Sequence, residues 1–143
     1  MEPPERASGI KCVSLSDDAL ADHFPGRPLF PGALVIEAMA QLSGALLEES
    51  AVREGHGDRL AVLAMVDRAR FRRPITPGDR IDLEVVAQSR KEEIALVRAR
   101  AVVDGELAAE AELGFAMAAD SDAGLCAERA RLRALWIHGT SRR

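Results

Sequence analysis

Two residues in the first third of the chain carry side chains that could exchange protons with a substrate. His23 lies in a segment rich in proline and glycine, and Glu37 follows inside a run that is almost entirely apolar. An imidazole titrates near neutral pH and can remove a proton. A carboxyl in apolar surroundings is favoured in its neutral form and can donate one. The pair therefore predicts acid–base chemistry, with His23 as the base and Glu37 as the acid.

Local composition predicts the elements that position these two groups. The prolines and glycines between residues 23 and 32 fix an irregular backbone path, so we expect His23 on a shaped loop. The run 33–47 has no helix breaker before Gly44 and is apolar on every side, which predicts a buried helix that continues to about Arg53. Glu37 would be desolvated inside it.

The pattern changes to alternation downstream of the predicted helix. Apolar and polar residues alternate over 81–85 and 94–103, and Asp104-Gly105 is a strong hairpin signal. The returning strand has one apolar face, formed by Leu107, Ala109, Ala111, Leu113, Phe115 and Met117. Further strands are predicted at 10–15, 60–66 and 68–72, with a turn at 74–79. Because a sheet with one apolar face needs a cover, we expect an α+β fold in which an antiparallel sheet wraps one long helix.

The sequence divides into three parts. Residues 1–9 are expected to form a flexible tail, residues 10–117 a single domain, and residues 118–143 a helical extension with a frayed end. Within the extension, Leu125, Arg129, Leu132 and Trp136 recur at helical spacing after a candidate N-cap at Asp120 or Ser121. This predicts an amphipathic C-terminal helix that packs back on the sheet.

Bulk composition excludes several functional classes. The formal net charge is −4 and tyrosine is absent, which argues against a nucleic-acid-binding protein. No apolar run is long enough to span a bilayer and the N-terminus lacks a signal-peptide core, so we expect a cytoplasmic protein. Cys12 and Cys126 lie far apart, and no metal-binding framework is present in the sequence, so we expect no metal.

The segment DHFPGRPLFPGALVIEAMAQ, residues 22–41, resembles the signature of the β-hydroxyacyl-acyl-carrier-protein dehydratases, hot-dog-fold enzymes of bacterial fatty-acid synthesis. The segments MVDRARFRRPITPGDRIDLEV and VDGELAAEAEL resemble later parts of the same family, so the resemblance covers about residues 10–117. Two departures are evident. Asp22 stands where the family usually has glycine, and residues 1–22 are too few for its additional N-terminal helix and strand.

The resemblance implies an activity and roles for individual residues. The enzyme would remove water from (3R)-3-hydroxyacyl thioesters on acyl carrier protein, giving trans-2-enoyl thioesters in fatty-acid or polyketide-type synthesis. His23 would take the proton from C2, and Glu37 would protonate the departing hydroxyl. The Gly32 N–H at the helix start would polarise the thioester carbonyl, and Gln41 would orient Glu37. The acyl tunnel would be lined by Phe24, Phe30 and Leu34.

The resemblance also implies partners. His23 of one chain would face Glu37 of another in an obligatory homodimer, and assembly into hexamers is permitted. The substrate would arrive on the phosphopantetheine arm of acyl carrier protein, so no other cofactor is expected. An arginine cluster could dock that acidic carrier, or could simply be a solvated strand face. Its members are Arg68, Arg70, Arg72 and Arg73.

The same residues also fit other functions. A hot-dog acyl thioesterase also carries an acidic residue on its helix, although it would not need the HFPG loop. A non-catalytic acyl-binding subunit could complete a heterodimer. His23 could be structural, Glu37 could pair with Arg27, Gly32 could serve only helix entry, and Gln41 could be a satisfied core amide.

Overall fold

The chain folds into an antiparallel sheet wrapped around one long helix. The computed structural model describes residues 5–91 and 93–138. The elements in chain order are β1 (Arg6–Cys12), a short 3₁₀ helix (Asp18–Leu20), α1 (Gly32–Arg53), β2 (Arg59–Phe71), β3 (Arg80–Arg90), β4 (Ile94–Val103), β5 (Glu106–Ala119) and α2 (Ala123–His138). The five strands are ordered β1-β3-β4-β5-β2, and every neighbouring pair is antiparallel. The predicted α+β fold, its long helix and the additional C-terminal helix are confirmed.

The hydrophobic core lies between α1 and the inner face of the sheet. On β4 every second residue is buried, so one face of the strand meets the helix and the other meets solvent. The helix contributes Val35, Met39 and Leu47, whose side chains are at most 1% exposed. Burying each such side chain stabilises the fold by about 1.5–3 kcal/mol. No helix in the described ranges is long and apolar enough to cross a membrane.

The predicted hairpin between β4 and β5 is present. Asp104 and Gly105 have φ values of 52° and 80°, as a two-residue turn of type I′ requires at both central positions. The strands that they join pair from Val103 and Glu106 onward. The Asp104-Gly105 pair therefore forms the hairpin turn that the sequence predicts.

The prediction of a flexible tail over residues 1–9 is wrong for residues 6–9. β1 begins at Arg6, which pairs with Val86 of β3. The strand then ends at Cys12, before the predicted limit at residue 15. The small residues of β1 give only a weak strand pattern in the sequence. Pairing with β3 determines where the strand begins and ends.

β2 is one continuous edge strand where two runs were predicted. Register shifts occur between Leu63 and Met65 and between Asp67 and Arg70. Arg68 has a φ of 52°, so the second shift interrupts the alternation assumed for residues 68–72. Most of the strand is exposed, because β5 is its only neighbour in the described sheet.

The predicted packing of the C-terminal helix on the sheet is wrong. In the single chain Leu125 is 59% exposed and Leu132 is 40% exposed, so the apolar side chains of α2 that the structure describes are uncovered. The N-cap is also displaced from the predicted residues. The side chain of Asp122 accepts hydrogen bonds from the N–H groups of Gly124 at 2.9 Å and Leu125 at 3.1 Å.

Candidate active site

His23 lies on the loop before α1, and backbone hydrogen bonds close this loop into a compact turn. The N–H of Phe24 donates to the carbonyl of Arg27 at 3.0 Å, and the N–H of Arg27 donates back at 2.9 Å. The N–H of Leu29 donates to the carbonyl of His23 at 2.7 Å. Gly26 has a φ of 73°, which glycine adopts without steric cost. The proline- and glycine-rich segment thus forms the shaped loop that its composition predicts.

The imidazole of His23 is held by one defined hydrogen bond. Its Nδ1 atom lies 2.8 Å from the carbonyl oxygen of Leu29. Because a carbonyl only accepts, Nδ1 carries the hydrogen, and in the neutral ring Nε2 keeps its lone pair. The ring of Phe24 stacks on the imidazole with centroids 4.3 Å apart. His23 is therefore oriented with Nε2 able to accept a proton.

The start of α1 offers unpaired backbone donors. Pro31 occupies the N-cap position and no side chain of the described residues caps the helix. The N–H groups of Leu34 and Val35 donate to the carbonyl of Pro31. Those of Gly32 and Ala33 have no acceptor within the described part of the chain. Free N–H groups at a helix N-terminus, together with the helix dipole, can stabilise a developing oxyanion.

Gly32 is in close contact with Phe71, the last residue of β2. A Cβ atom on Gly32 would lie 2.8 Å from Cε1 of Phe71, closer than real Cβ atoms approach other atoms. Only glycine therefore fits at the helix start while the ring holds its position. Phe71 was not singled out from the sequence, although it stands in the ARFRRP stretch that carries the family resemblance.

Gly32 and Phe71 line a cavity of about 400 Å³, a volume in the range of small-molecule sites. Its apolar lining includes Leu29, Phe30, Val35 and Ile75, and Arg72 and Arg73 add charged groups. The N–H of Phe30 donates to the carbonyl of Ile75 at 2.8 Å, which ties the His23 loop to the segment after β2.

Glu37 is exposed in the single chain, which contradicts its predicted burial. Ala33 and Gln41, one turn before and one turn after it, are exposed as well. The sheet covers only the opposite side of α1. One side of this largely apolar helix is therefore exposed to solvent in the single chain. The amide of Gln41 donates to Oε1 of Glu37 at 2.8 Å, so the contact predicted from their spacing is present.

The three residues predicted to line one tunnel are not brought together. Phe30 is 6% exposed and lines the cavity that contains Gly32. Phe24 is 54% exposed and lies beside a different depression, next to Leu20. Leu34 packs, partly buried, against the core. Only Phe30 shares the cavity at the helix start.

His23 and Glu37 have different hydrogen-bond partners within one chain. No hydrogen bond joins them among the described residues, and Glu37 forms no ion pair with Arg27 there. Across the same residues, no three histidine, cysteine, aspartate or glutamate side chains converge as metal ligands would.

Three of the four clustered arginines have acidic partners. The pairs are Arg68 with Glu112, Arg72 with Glu110, and Arg73 with Glu106. The hydrogen bond from Arg72 lowers the pKa of Glu110, so that carboxylate stays charged beside it. Arg70 has no ion pair among the described residues, although it lies opposite Glu110 in the strand register. Arg70 is therefore the arginine of this cluster that has no ion pair in the part of the chain that the structure describes.

The sequence is similar to a known protein family and to named members of it. A model of the FabA-like domain matches residues 5–112. The chain is 42% identical over 111 residues to the 3-hydroxyacyl-[acyl-carrier-protein] dehydratase FabZ of Agrobacterium fabrum, covering 78% of this chain and 70% of that protein. It is 45% identical over 114 residues to the FabZ of Thermomicrobium roseum, covering 79% and 74%.

Solved structures show the same hot-dog fold at low sequence identity. The dehydratase heterocomplex ApeI:P of Xenorhabdus doucetiae has a TM-score of 0.67 and 19% identity, with 81% of this chain and 77% of that chain covered. A hypothetical thioesterase protein with coenzyme A from Streptococcus pneumoniae has a TM-score of 0.64 and 11% identity, with 82% and 85% covered.

Proposed function

The chain belongs to the FabA-like family, and from this membership we propose that His23 and Glu37 carry out its reaction. It is a 3-hydroxyacyl-[acyl-carrier-protein] dehydratase, a hydro-lyase of fatty-acid biosynthesis. The observation that carries the residue assignment is the hydrogen bond from Nδ1 of His23 to the carbonyl of Leu29. It leaves Nε2 as a base of fixed orientation on the loop that leads into α1.

The proposed reaction is a proton abstraction coupled to loss of hydroxide as water. Nε2 of His23 takes the proton from C2 of a (3R)-3-hydroxyacyl thioester. The protonated carboxyl of Glu37 donates its proton to the C3 hydroxyl, the C–O bond breaks, and a trans-2-enoyl thioester and water result. Negative charge on the thioester oxygen is stabilised by the free N–H of Gly32. Transfer of a proton from the imidazolium of His23 back to Glu37 through solvent restores the enzyme.

This reaction needs a second copy of the chain to bring the two groups together. Glu37 is exposed and forms no hydrogen bond with His23 among the described residues of one chain. The edge strand β2 exposes apolar side chains, among them Val62 and Met65, which favours association. In the proposed homodimer, His23 of one subunit faces Glu37 of the other. Burial at that interface would desolvate the carboxyl and favour the neutral form that an acid requires.

The proposed carrier of the substrate is acyl carrier protein, with the acyl group on its phosphopantetheine arm and no other cofactor. The cavity that Gly32 and Phe71 line has room for part of that arm and its acyl group. Arg70 supports docking of an acidic carrier, because no acidic side chain of the described residues forms an ion pair with it. The reaction is proposed to take place in the cytoplasm.

Intact-mass analysis of a 3-hydroxyacyl carrier protein incubated with the chain tests this proposal. We expect loss of one water from the acyl arm with the natural chain, and none with Glu37→Gln or His23→Ala. Glu49→Gln is the matched control, since Glu49 lies on the same helix and pairs with Arg53. Dehydration by Glu37→Gln at the natural rate would contradict the role of Glu37. Release of free acid would indicate a thioesterase, and an unchanged arm would indicate a non-catalytic acyl-binding subunit.

A further inference from the structure

We propose that α2 is an interface helix whose apolar face packs on a second copy of this chain, next to that copy's Phe71 cavity. Each subunit would then close part of the other subunit's substrate entrance. The inference rests on the dimer of the proposed function and adds a surface and a role that the catalytic groups do not require.

The base of α2 is fixed to the body of the domain by Arg129. Its guanidinium lies 2.7 Å from Asp120 and 3.0 Å from Glu48 of α1. It also donates to the carbonyl of Arg59, the first residue of β2, at 2.8 Å. The Arg129 side chain is only 20% exposed. A guanidinium held by three acceptors in different elements sets the direction of the helix.

The apolar face of α2 points to the same side as this anchor. Leu125 and Leu132 lie one turn before and one turn after Arg129 on the helix. Because Arg129 contacts the first residue of the edge strand β2, these leucines lie near the start of that strand. They are 59% and 40% exposed, and Leu135 is 63% exposed. An anchored helix therefore presents an uncovered apolar face along an unpaired strand.

The unpaired part of β2 is bounded at both ends. The side chain of Glu48 accepts the N–H of Ala61 at 3.1 Å and so occupies an edge donor at the start of the strand. The register shift between Asp67 and Arg70 distorts the other end, and a second shift lies within the strand between Leu63 and Met65. The segment left for pairing is residues 62–67, whose exposed side chains include Val62 and Val66, each 45% exposed.

A second copy of the chain would cover both the apolar face of α2 and the open edge of β2. Two identical edges related by a two-fold axis pair antiparallel, and the bounded segment places that axis near Met65. Arg59 of one subunit then lies beside the opposite end of the strand in the other, where Phe71 is 54% exposed. Since Arg129 ties α2 to the carbonyl of Arg59, the leucines of α2 would reach the cavity of the partner subunit's Phe71. A single association would bury the leucines, the strand edge and the cavity rim.

Sedimentation equilibrium of the full chain, with hydrogen exchange followed by mass spectrometry, tests this inference. Leu132→Asp places a charge on the apolar face of α2, and Ala134→Asp places the same charge on the opposite, exposed face. We expect Leu132→Asp to raise the dimer dissociation constant about tenfold and to speed amide exchange over residues 68–75, whereas Ala134→Asp leaves both within about twofold.

Equal dissociation constants and equal exchange for the two variants would overturn the inference. It would then follow that α2 either folds against its own subunit or binds a different protein. Failure of the proposed function has a different signature, because the natural chain would then leave the acyl arm of the carrier unchanged whatever its state of assembly.

Discussion

The amide of Gln41 donates a hydrogen bond to Oε1 of Glu37 across one turn of α1, at 2.8 Å. This oxygen is occupied as an acceptor, so in the proposed reaction the other carboxyl oxygen would hold the proton that Glu37 donates. If Gln41 positions Glu37 for the proposed reaction, Gln41→Leu should lower kcat about tenfold with little change in KM. Steady-state kinetics over a range of pH measure the effect, and Gln88→Leu, at an exposed amide on β3, is the control. An unchanged kcat would show that Glu37 needs no such support.

A site shared between subunits predicts complementation of two inactive variants. In an equal mixture of His23→Ala and Glu37→Gln chains, half of the dimers are mixed, and one of the two sites in each retains both groups. Random exchange should therefore restore about a quarter of the natural rate. The rate is measured after the chains are unfolded and refolded together, with each variant refolded alone as a control. No recovery, despite proven mixing of subunits, would place both groups of a site in one chain.

The contact of Gly32 with Phe71 predicts a coupled pair of substitutions. Gly32→Ala would place a methyl group 2.8 Å from the Phe71 ring, so the ring must move out of its position. We expect Gly32→Ala to destabilise the fold by about 1–3 kcal/mol and to lower kcat/KM. Adding Phe71→Ala should recover part of the stability, which urea unfolding and a double-mutant cycle measure. Additive effects of the two changes would mean that the residues do not compete for the same space.

Arg70 should contribute more to carrier recognition than its neighbours. Arg68 and Arg72 are already paired with Glu112 and Glu110, whereas Arg70 forms no ion pair among the described residues. Arg70→Ala should raise KM for an acyl group on carrier protein about threefold or more, and the rise should shrink in high salt. The same acyl group on a short pantetheine analogue should show no rise. Equal effects on both substrates would indicate a local structural role.

The anchor of α2 should weaken in acid. The N–H of Asp122 and then the guanidinium of Arg129 lower the pKa of Asp120, although burial opposes this shift. A carboxylate with a lowered folded-state pKa contributes stability that is complete above its ordinary pKa and is lost as pH falls through the folded value. Thermal unfolding should therefore show an acid-dependent loss below about pH 4 that Asp120→Asn reduces. Asp18→Asn, at an exposed site, should retain the full pH dependence.

Much of the fold was predictable because its signals are local. The turn at Asp104-Gly105 needs two residues that tolerate positive φ, and the apolar face of β5 repeats every second residue. The central helix was predictable from an apolar run of sufficient length. For the active site, the loop of His23 follows from its prolines and glycines, and the contact of Gln41 with Glu37 follows from helical spacing.

The remaining features depend on contacts between distant parts of the chain. A run that is apolar all round does not show which side the sheet will cover, so the exposure of Glu37 was not predictable from it. Helical periodicity likewise gives α2 an apolar face without showing what covers that face. The acceptor of His23 is the backbone carbonyl of Leu29, and a backbone group has no signature in the sequence.

The hydrogen bond from the N–H of Ala61 to Glu48 also limits aggregation through the edge strand β2. An open strand edge is a template on which further chains can add without limit, which is how fibrous aggregates grow. Here one edge donor is occupied by a carboxylate of the same chain, and the strand is distorted after Asp67. The edge therefore has room for a short ladder and no more. Glu48 thus limits how far a neighbouring chain can extend the sheet along this edge.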